Sequence, residues 1–124
     1  LDMMGWEIGD TGFDLVLARD IPVFVNSHFA PVCDAFLARQ DLEKAEMAEP
    51  ACHPGGGRVV DALADYLGDD LAMTRSVLRA NGNMSSPTVL FVLDALLATG
   101  PIAKPTLLTA LGPGFVGAMG VLTP

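Results

Sequence analysis

The chain has 124 residues, of which 51% are hydrophobic and 18% are charged, and its formal net charge is −8. This composition excludes a disordered or fully solvated segment, because such segments lack the apolar residues that form a core. The 7 basic residues are scattered among 15 acidic ones, so the sequence lacks the positive stripe that nucleic-acid binding requires.

The first predicted elements are a strand and a helix. Residues 13–17 are short, apolar and partly alternating, which predicts a strand. Pro22 then opens a helical pattern, and Pro31 is expected to kink or split that helix. The apolar residues expected on one face of this helix are Val25, Phe29, Val32 and Phe36.

The middle of the chain predicts a connection, a strand and two helices. Residues 40–49 are polar and acidic and predict a surface connection. Because a polar Glu-Pro pair precedes it, the strand at residues 51–52 is expected to be short. The next helix is expected to end at Gly68, and Asp70 is expected to cap a second helix that ends at residues 81–82. The inward positions are Val59, Val60, Leu63 and Leu67 in the first helix, and Leu71, Thr74, Val77 and Leu78 in the second.

The last predicted elements are a helix and two strands. A serine at residues 85–86 is expected to cap the third helix, with Pro87 in its first turn. Residues 89–97 are apolar nearly all round, so we expect that helix to be buried. Residues 106–111 and 115–122 predict strands. The order β-α-β-α-α-α-β-β indicates a layered α/β unit, and we treat residues 1–124 as one domain.

The cysteines and the uncharged C-terminal segment exclude several classes. Cys33 and Cys52 lack the spacing of a disulfide scaffold or a zinc site, so no metal is expected. Residues 105–124 hold no charged side chain, but Gly-Pro-Gly at 112–114 interrupts them, so no membrane span is expected. The N-terminal residues do not form a secretory leader, and we expect a cytoplasmic protein.

Two polar turns stand at junctions between predicted elements. One contains His53 followed by Pro-Gly-Gly, and the other contains Asn83 after Gly82. Such junctions direct side chains and backbone N–H groups into a cleft. A His and an Asn placed there can donate hydrogen bonds to one carbonyl oxygen, which is the arrangement of an oxyanion hole. From the residues alone, a loop histidine and a helix-ending Gly-Asn are the simpler interpretation.

Three motifs resemble those of a known family in order and spacing. They are His-Pro-Gly-Gly at residues 53–56, Gly-Asn-Met-Ser-Ser at 82–86 and Gly-Pro-Gly at 112–114. They are similar to the C-terminal motifs of type III polyketide synthases, the chalcone and stilbene synthase family, and residues 6–22 resemble the family strand just upstream. The resemblance implies the C-terminal half of a thiolase-like fold with α-β-α-β-α layers, normally found as a homodimer.

The resemblance also implies an acyltransferase of polyketide biosynthesis. In such enzymes a Cys takes an acyl group from a starter acyl-CoA, malonyl-CoA is decarboxylated, and the enolate attacks the acyl thioester. These CoA thioesters are substrates, and no permanently bound cofactor is implied. His53 and Asn83 would be the catalytic residues, holding the malonyl thioester oxygen. The residues implied to contact substrate or CoA are Leu15, Leu17, Gly55, Gly56, Arg58, Ser85, Gly112, Pro113 and Gly114.

The sequence departs from the family at two points. The family's nucleophilic Cys lies far upstream of its His motif, and no such segment is present. Cys52 adjoins His53, so on an extended backbone the two side chains point to opposite faces, while Cys33 falls among core residues. The gatekeeping Phe of plant members falls at Leu15, which leaves the starter size open.

We therefore expect a fragment of a longer chain, since it begins at Leu1 without an initiator Met. The missing N-terminal half would carry the nucleophile, so this fragment alone is expected to be inactive. Two alternatives stay open. One is a ketoacyl synthase of the third type, which initiates fatty-acid synthesis but usually has other residues after its His and Asn. The other is a catalytically silent structural fragment.

Overall fold

The computed structural model describes residues 4–10, 12–17, 21–112 and 116–124. The strands in these ranges are β1 (Met4–Gly9), β2 (Gly12–Leu17), β3 (Ala51–Cys52), β4 (Thr106–Gly112) and β5 (Val116–Leu122). β1 and β2 pair antiparallel as a hairpin. β4 lies in the middle of the other sheet, parallel to β3 and antiparallel to β5. The predictions for β2 to β5 are confirmed, whereas β1, whose two glycines weaken the strand pattern, was missed.

The helices connect the strands and cover the sheet. They are α1 (Ile21–Phe24), α2 (Ala30–Ala38), α3 (Gly57–Leu67), α4 (Ala72–Asn81) and α5 (Thr88–Ala98). A π-helical turn joins α1 to α2, and a short 3₁₀ turn at Lys44–Glu46 lies in the predicted surface connection. Parallel strands need a long crossover, and α3, α4 and α5 together form the one between β3 and β4. None of the helices in the described ranges has the length and apolar character needed to cross a bilayer.

The β3–β4–β5 sheet is packed on both faces. On one face, Cys52 lies in the main core with residues of α1 to α3, together with Leu107 and Leu111 of β4. On the other face, Ala51 packs with Val77 of α4 and Val92 of α5. Side chains of a strand alternate between faces, which explains how the adjacent residues of β3 enter different cores. The result is a helix–sheet–helix layering.

The helix around Pro31 differs from the prediction. Val25 and Phe29 are buried as expected, but Val32 is 56% exposed. The π turn at Val25–Phe29, in which Ala30 N–H donates to the Val25 carbonyl, shifts the register of the residues that follow. Cys33 and Leu37 are therefore buried in the core, whereas the predicted Phe36 packs against the core only partly buried. Proline lacks an N–H, so a disturbed turn directly before Pro31 has a direct chemical cause.

The ends of α3 and α4 agree only in part with the prediction. Gly68 ends α3 with a φ of 67°, as predicted. Asp70 does not cap α4, because the buried Leu71 holds the N-cap position with a φ of 50°. Instead, a carboxylate oxygen of Asp69 accepts a hydrogen bond from Leu71 N at 2.7 Å, and Glu49 accepts one from Met73 N at 2.5 Å. The Glu49 carboxylate, from the connection before β3, therefore gives a free backbone N–H in the first turn of α4 its hydrogen-bond partner.

The prediction that α5 is buried is confirmed for only one side of the helix in this chain. Val89 and Val92 are buried, but Leu90 is 58% exposed and Phe91 48% exposed. Only one side of α5 faces α4 and the sheet, so an all-round apolar helix leaves its other side in water. Leu90, Phe91 and Leu97 form what we call the open face of α5.

We expect the isolated chain to self-associate through the open face, because contiguous exposed apolar surface favours association. Replacing both Leu90 and Phe91 by Gln should lower the sedimentation coefficient and the fluorescence of an apolar dye. The matched control replaces Val23 and Val32 by Gln, since both valines are exposed on the helices at the opposite face of the sheet. A compact, non-dye-binding monomer of the parent chain would contradict this expectation.

Candidate active site

His53 is held at the edge of the sheet by the backbone. Its N–H donates to the Thr109 carbonyl at 2.8 Å, which continues the β3–β4 ladder by one residue. The side chain is 8% exposed, and Nδ1 is buried with no hydrogen-bond partner within the described part of the chain. Burial lowers the pKa of this imidazole and so favours the neutral form. Buried ring nitrogens usually take part in hydrogen bonds, so Nδ1 can bind one further polar atom.

The Gly-rich turn leads from His53 into α3. Gly55 N–H donates to the His53 carbonyl at 3.0 Å. Gly56 has a φ of 157°, a conformation that favours glycine, and it is the N-cap residue of α3, with no side-chain cap. Arg58 is exposed in the first turn of that helix, and no ion pair to it occurs among the described residues. The turn thus presents uncapped N–H groups beside an available guanidinium.

Asn83 is brought to the same turn by the end of α4. Gly82 ends the helix with a φ of 71°, and Asn83 follows it. Asn83 Nδ2 donates to the Gly55 carbonyl at 3.1 Å, across 28 residues of sequence. Its Oδ1 accepts from Ser85 N at 2.9 Å, which identifies the amide oxygen because a backbone N–H cannot accept. The two predicted motifs are therefore in direct contact.

Thr88 is the residue of this region that the sequence analysis missed. Neither serine caps α5 as predicted, because the helix begins at Thr88 with Pro87 at its N-cap. The Thr88 hydroxyl accepts from Met84 N at 2.8 Å and donates to the Ser85 carbonyl at 2.7 Å. The sequence did contain a signal for this role, namely a threonine at the start of a predicted helix, where its hydroxyl commonly binds backbone groups.

The remaining predicted site residues fall in three groups. Gly112 ends β4, and because β3 and β4 are parallel, it lies at the same edge of the sheet as His53. Pro113 and Gly114 lie outside the described residues. Leu15 and Leu17 lie in β2, opposite Trp6 and Met4 of β1.

Both cysteines are buried in the core rather than at this edge. Cys33 and Cys52 are each 0% exposed and belong to the same apolar cluster. Burial raises the pKa of both thiols, so each is held in the protonated form. Since the thiolate is the nucleophile, neither geometry nor charge favours a nucleophilic role, in agreement with the sequence analysis.

We also considered a second cleft and the acidic side chains as possible sites. A cleft of about 330 Å³, lined in part by Glu49, Lys104 and Thr106, lies where β3 and β4 begin, at the edge opposite His53. Over the described ranges, no cluster of three or more His, Cys, Asp or Glu side chains is arranged to hold a metal ion. The edge that carries His53 and Asn83 is therefore the candidate active site.

The chain is similar to known proteins over almost its whole length. It matches the family described as chalcone and stilbene synthases, C-terminal domain, over residues 2–117. It is 38% identical over 119 residues to 1,3,6,8-tetrahydroxynaphthalene synthase of Streptomyces peucetius subsp. caesius, covering 91% of this chain and 31% of that protein.

Solved structures agree with this match. PKS-I of the brown alga Ectocarpus siliculosus superimposes with a TM-score of 0.80 at 30% identity, covering 97% of this chain and 34% of that one. The 1,3,6,8-tetrahydroxynaphthalene synthase of Streptomyces coelicolor A3(2) gives a TM-score of 0.85 at 26% identity, covering 97% and 36%. The predicted α/β, thiolase-like fold class is thereby confirmed.

The chain spans about a third of the length of the relatives that it matches. Within that third, the sheet edge carries the His-Pro-Gly-Gly and Gly-Asn-Met-Ser-Ser motifs in contact with each other. Sequence match, fold and motif geometry agree that this chain belongs to the chalcone and stilbene synthase family and corresponds to its C-terminal domain.

Proposed function

We propose that residues 1–124 form the C-terminal domain of a type III polyketide synthase and supply His53 and Asn83 to its condensation reaction. The observation that carries this proposal is the hydrogen bond from Asn83 Nδ2 to the Gly55 carbonyl at 3.1 Å. It joins the Asn83 turn to the turn that begins at His53. Such an arrangement supports a shared hydrogen-bonding site for one substrate oxygen.

The Asn83 amide is suited to that role by its remaining donor. An amide NH₂ has two N–H bonds, and the Gly55 carbonyl occupies one of them. The second N–H can donate to a thioester oxygen in the exposed space beside the turn. Because both amide atoms are fixed by backbone partners, this donor is oriented before the substrate arrives, which is the condition for electrostatic stabilisation of a transition state.

The proposed reaction uses these donors when negative charge develops. Loss of CO₂ from a malonyl thioester leaves its electron pair on the neighbouring carbon and the thioester oxygen as an enolate. The enolate carbon then forms a bond to the acyl carbon held by a Cys, and the C–S bond to that Cys breaks to release the thiolate. His53 and Asn83 would hydrogen-bond the enolate oxygen. The starter acyl group and the number of extensions stay outside this proposal.

The charge of His53 depends on its partner. Burial in this chain favours the neutral imidazole. A thiolate beside it would oppose this shift, because a nearby opposite charge favours the charged form. We place that thiolate in an upstream part of the enzyme, since Cys33 and Cys52 are buried in the core. The exposed apolar side chains of the open face of α5 support a further part of the enzyme that packs on this helix.

Coenzyme A thioesters fit the start of α3. The first turn of this helix has no side-chain cap, so its N–H groups can meet an anion or a carbonyl oxygen. Arg58 is exposed in that turn and offers the charge that a phosphate prefers. We therefore propose Gly55, Gly56 and Arg58 as part of the CoA site, with Ser85 and Gly112 lining the adjacent pocket. A homodimer and a cytoplasmic location stay predictions.

The isolated chain should not make polyketides from malonyl-CoA and acyl-CoA starters, because it has no accessible thiol. Adding the separately expressed upstream half should restore product formation, measured by mass spectrometry. Product from the isolated chain above a control without protein would contradict the proposal that the nucleophilic Cys lies in an upstream part of the enzyme. Failure of the two halves to give product, although they form a complex, would favour a silent structural fragment.

In the full-length enzyme, Asn83→Ala should slow CO₂ release from malonyl-CoA by about 10²–10³-fold, the usual effect of losing one oxyanion donor. Covalent labelling of the Cys by the starter should change little, because its developing charge lies at another carbonyl. The matched control is Asn81→Ala, since Asn81 is two residues away and its amide donates to the Val77 carbonyl of its own helix. If Asn83→Ala leaves CO₂ release near the parent rate, Asn83 is only a helix-end residue.

The lowered pKa of His53 predicts a pH-dependent stability of this chain. The unfolded chain regains the ordinary histidine pKa of 6.5. It therefore binds a proton more readily than the folded chain as the pH falls below that value, and the free energy of unfolding decreases. The stabilisation is present above the ordinary pKa and is lost on acidification.

His53→Gln should remove the contribution of His53 to the decrease in the free energy of unfolding on acidification. The chain has two histidines, so His28→Gln, at an exposed position, is the matched control. Urea unfolding would be measured one pH unit above and one below the ordinary histidine pKa. The background would be the Leu90→Gln, Phe91→Gln variant, which limits association. An unchanged pH dependence in His53→Gln would show that His53 is not held neutral by burial.

A further inference from the structure

We propose that Thr88 is a positioning residue for the catalytic amide of Asn83. This inference rests on the proposed function, because it concerns the geometry of the enolate-stabilising donor. Thr88 is 0% exposed at the first position of α5. Its hydroxyl binds the backbone of Met84 and Ser85, the two residues that follow Asn83.

The Thr88 hydroxyl holds two consecutive residues of that turn. It accepts from Met84 N at 2.8 Å and donates to the Ser85 carbonyl at 2.7 Å. A hydroxyl has a single O–H to donate, so its orientation is fixed by the second bond. Thr88 N also donates to the Ser85 carbonyl at 3.0 Å. The same threonine thus binds the turn through its side chain and its backbone.

The turn needs this restraint because its backbone is unusual. Ser85 has a φ of 66°, in the left-handed region that side chains other than glycine seldom adopt. Such residues persist only where surrounding contacts hold them. Here the contacts are the bonds from Thr88 and the bond from Ser85 N to Asn83 Oδ1. Without the Thr88 hydroxyl, two of the hydrogen bonds that hold the turn are lost, and the φ of Ser85 can return to ordinary negative values.

The consequence reaches Asn83 through one further bond. Ser85 N is the group that fixes Asn83 Oδ1, and the Gly55 carbonyl is the group that fixes Nδ2. If the backbone of Ser85 moves to ordinary angles, the Asn83 amide loses the bond to its Oδ1. It then keeps only the bond from Nδ2 to the Gly55 carbonyl and can rotate about that bond. The unused N–H would then leave the direction of the substrate oxygen. Displacement of a catalytic group by about 1 Å can cost about 10²-fold in rate.

The test uses the full-length enzyme and the isosteric Thr88→Val variant. We expect CO₂ release from malonyl-CoA to fall by about 10- to 100-fold, up to the loss typical of a misplaced group. Each rate is divided by the amount of enzyme that the starter labels, so that misfolded protein is not counted. Thr88→Ser keeps the hydroxyl and should restore most of the rate. Thr106→Val is the matched control, because Thr106 is also buried and its hydroxyl binds a carbonyl at the opposite edge of the sheet.

A double variant separates positioning from stability. If Thr88 acts through Asn83, adding Thr88→Val to Asn83→Ala should cause no further loss of CO₂ release, since the amide is already absent. The proposal is overturned if Thr88→Val stays within threefold of the parent, if Thr88→Ser is as slow as Thr88→Val, or if the two losses multiply. Should Thr88→Val give too little labelled enzyme to assay, Thr88→Ala takes its place with the same criteria. Failure of Asn83→Ala itself to slow CO₂ release would instead refute the proposed function, so the two failures are distinguishable.

Discussion

The candidate site depends on the parallel pairing of β3 with β4, where Ala51 lies opposite Leu108 and Cys52 opposite Thr109. β3 is a two-residue strand, and two further hydrogen bonds support it. His53 N–H extends the ladder to the Thr109 carbonyl at 2.8 Å, and the buried Thr74 hydroxyl donates to the Cys52 carbonyl at 3.4 Å. This pairing fixes the backbone of His53 at the sheet edge, and α3 starts four residues later.

The layering of the sheet determines what can meet His53. A parallel crossover must leave one strand, pass over the sheet and return beside it. Here α3 packs in the core that contains Cys52, while α4 and α5 pack over Ala51 on the other face. The chain between α4 and α5 therefore returns to the C-terminal edge of β3. Polar turns collect at such edges because backbone groups there lack strand partners.

The turn between α4 and α5 connects a buried polar side chain to an exposed one. Thr88 is buried and Asn83 is exposed, yet a short series of hydrogen bonds connects them through Ser85. The backbone strain at Ser85 is confined to the residue between these two bonds. Strained residues of this kind concentrate at functional sites, where the surrounding structure holds them in place. Asn81, two residues before Asn83, donates to the Val77 carbonyl of its own helix, so proximity in sequence does not confer this arrangement.

The sequence by itself determined the class of fold, the motif pair and most helix ends. Gly68 and Gly82 end helices because their conformations are local properties of glycine, and the positions of β2 to β5 followed from short apolar runs. Tertiary structure decided features that depend on distant partners. One side of α5 is exposed because α4 and the sheet cover only its other side. The buried face that includes Cys33 is shifted by the π turn before it, and the first turn of α4 is capped by Glu49 from another segment. The contact between Asn83 and Gly55 crosses 28 residues, and only the packing of α4 and α5 on the sheet brings those two turns together.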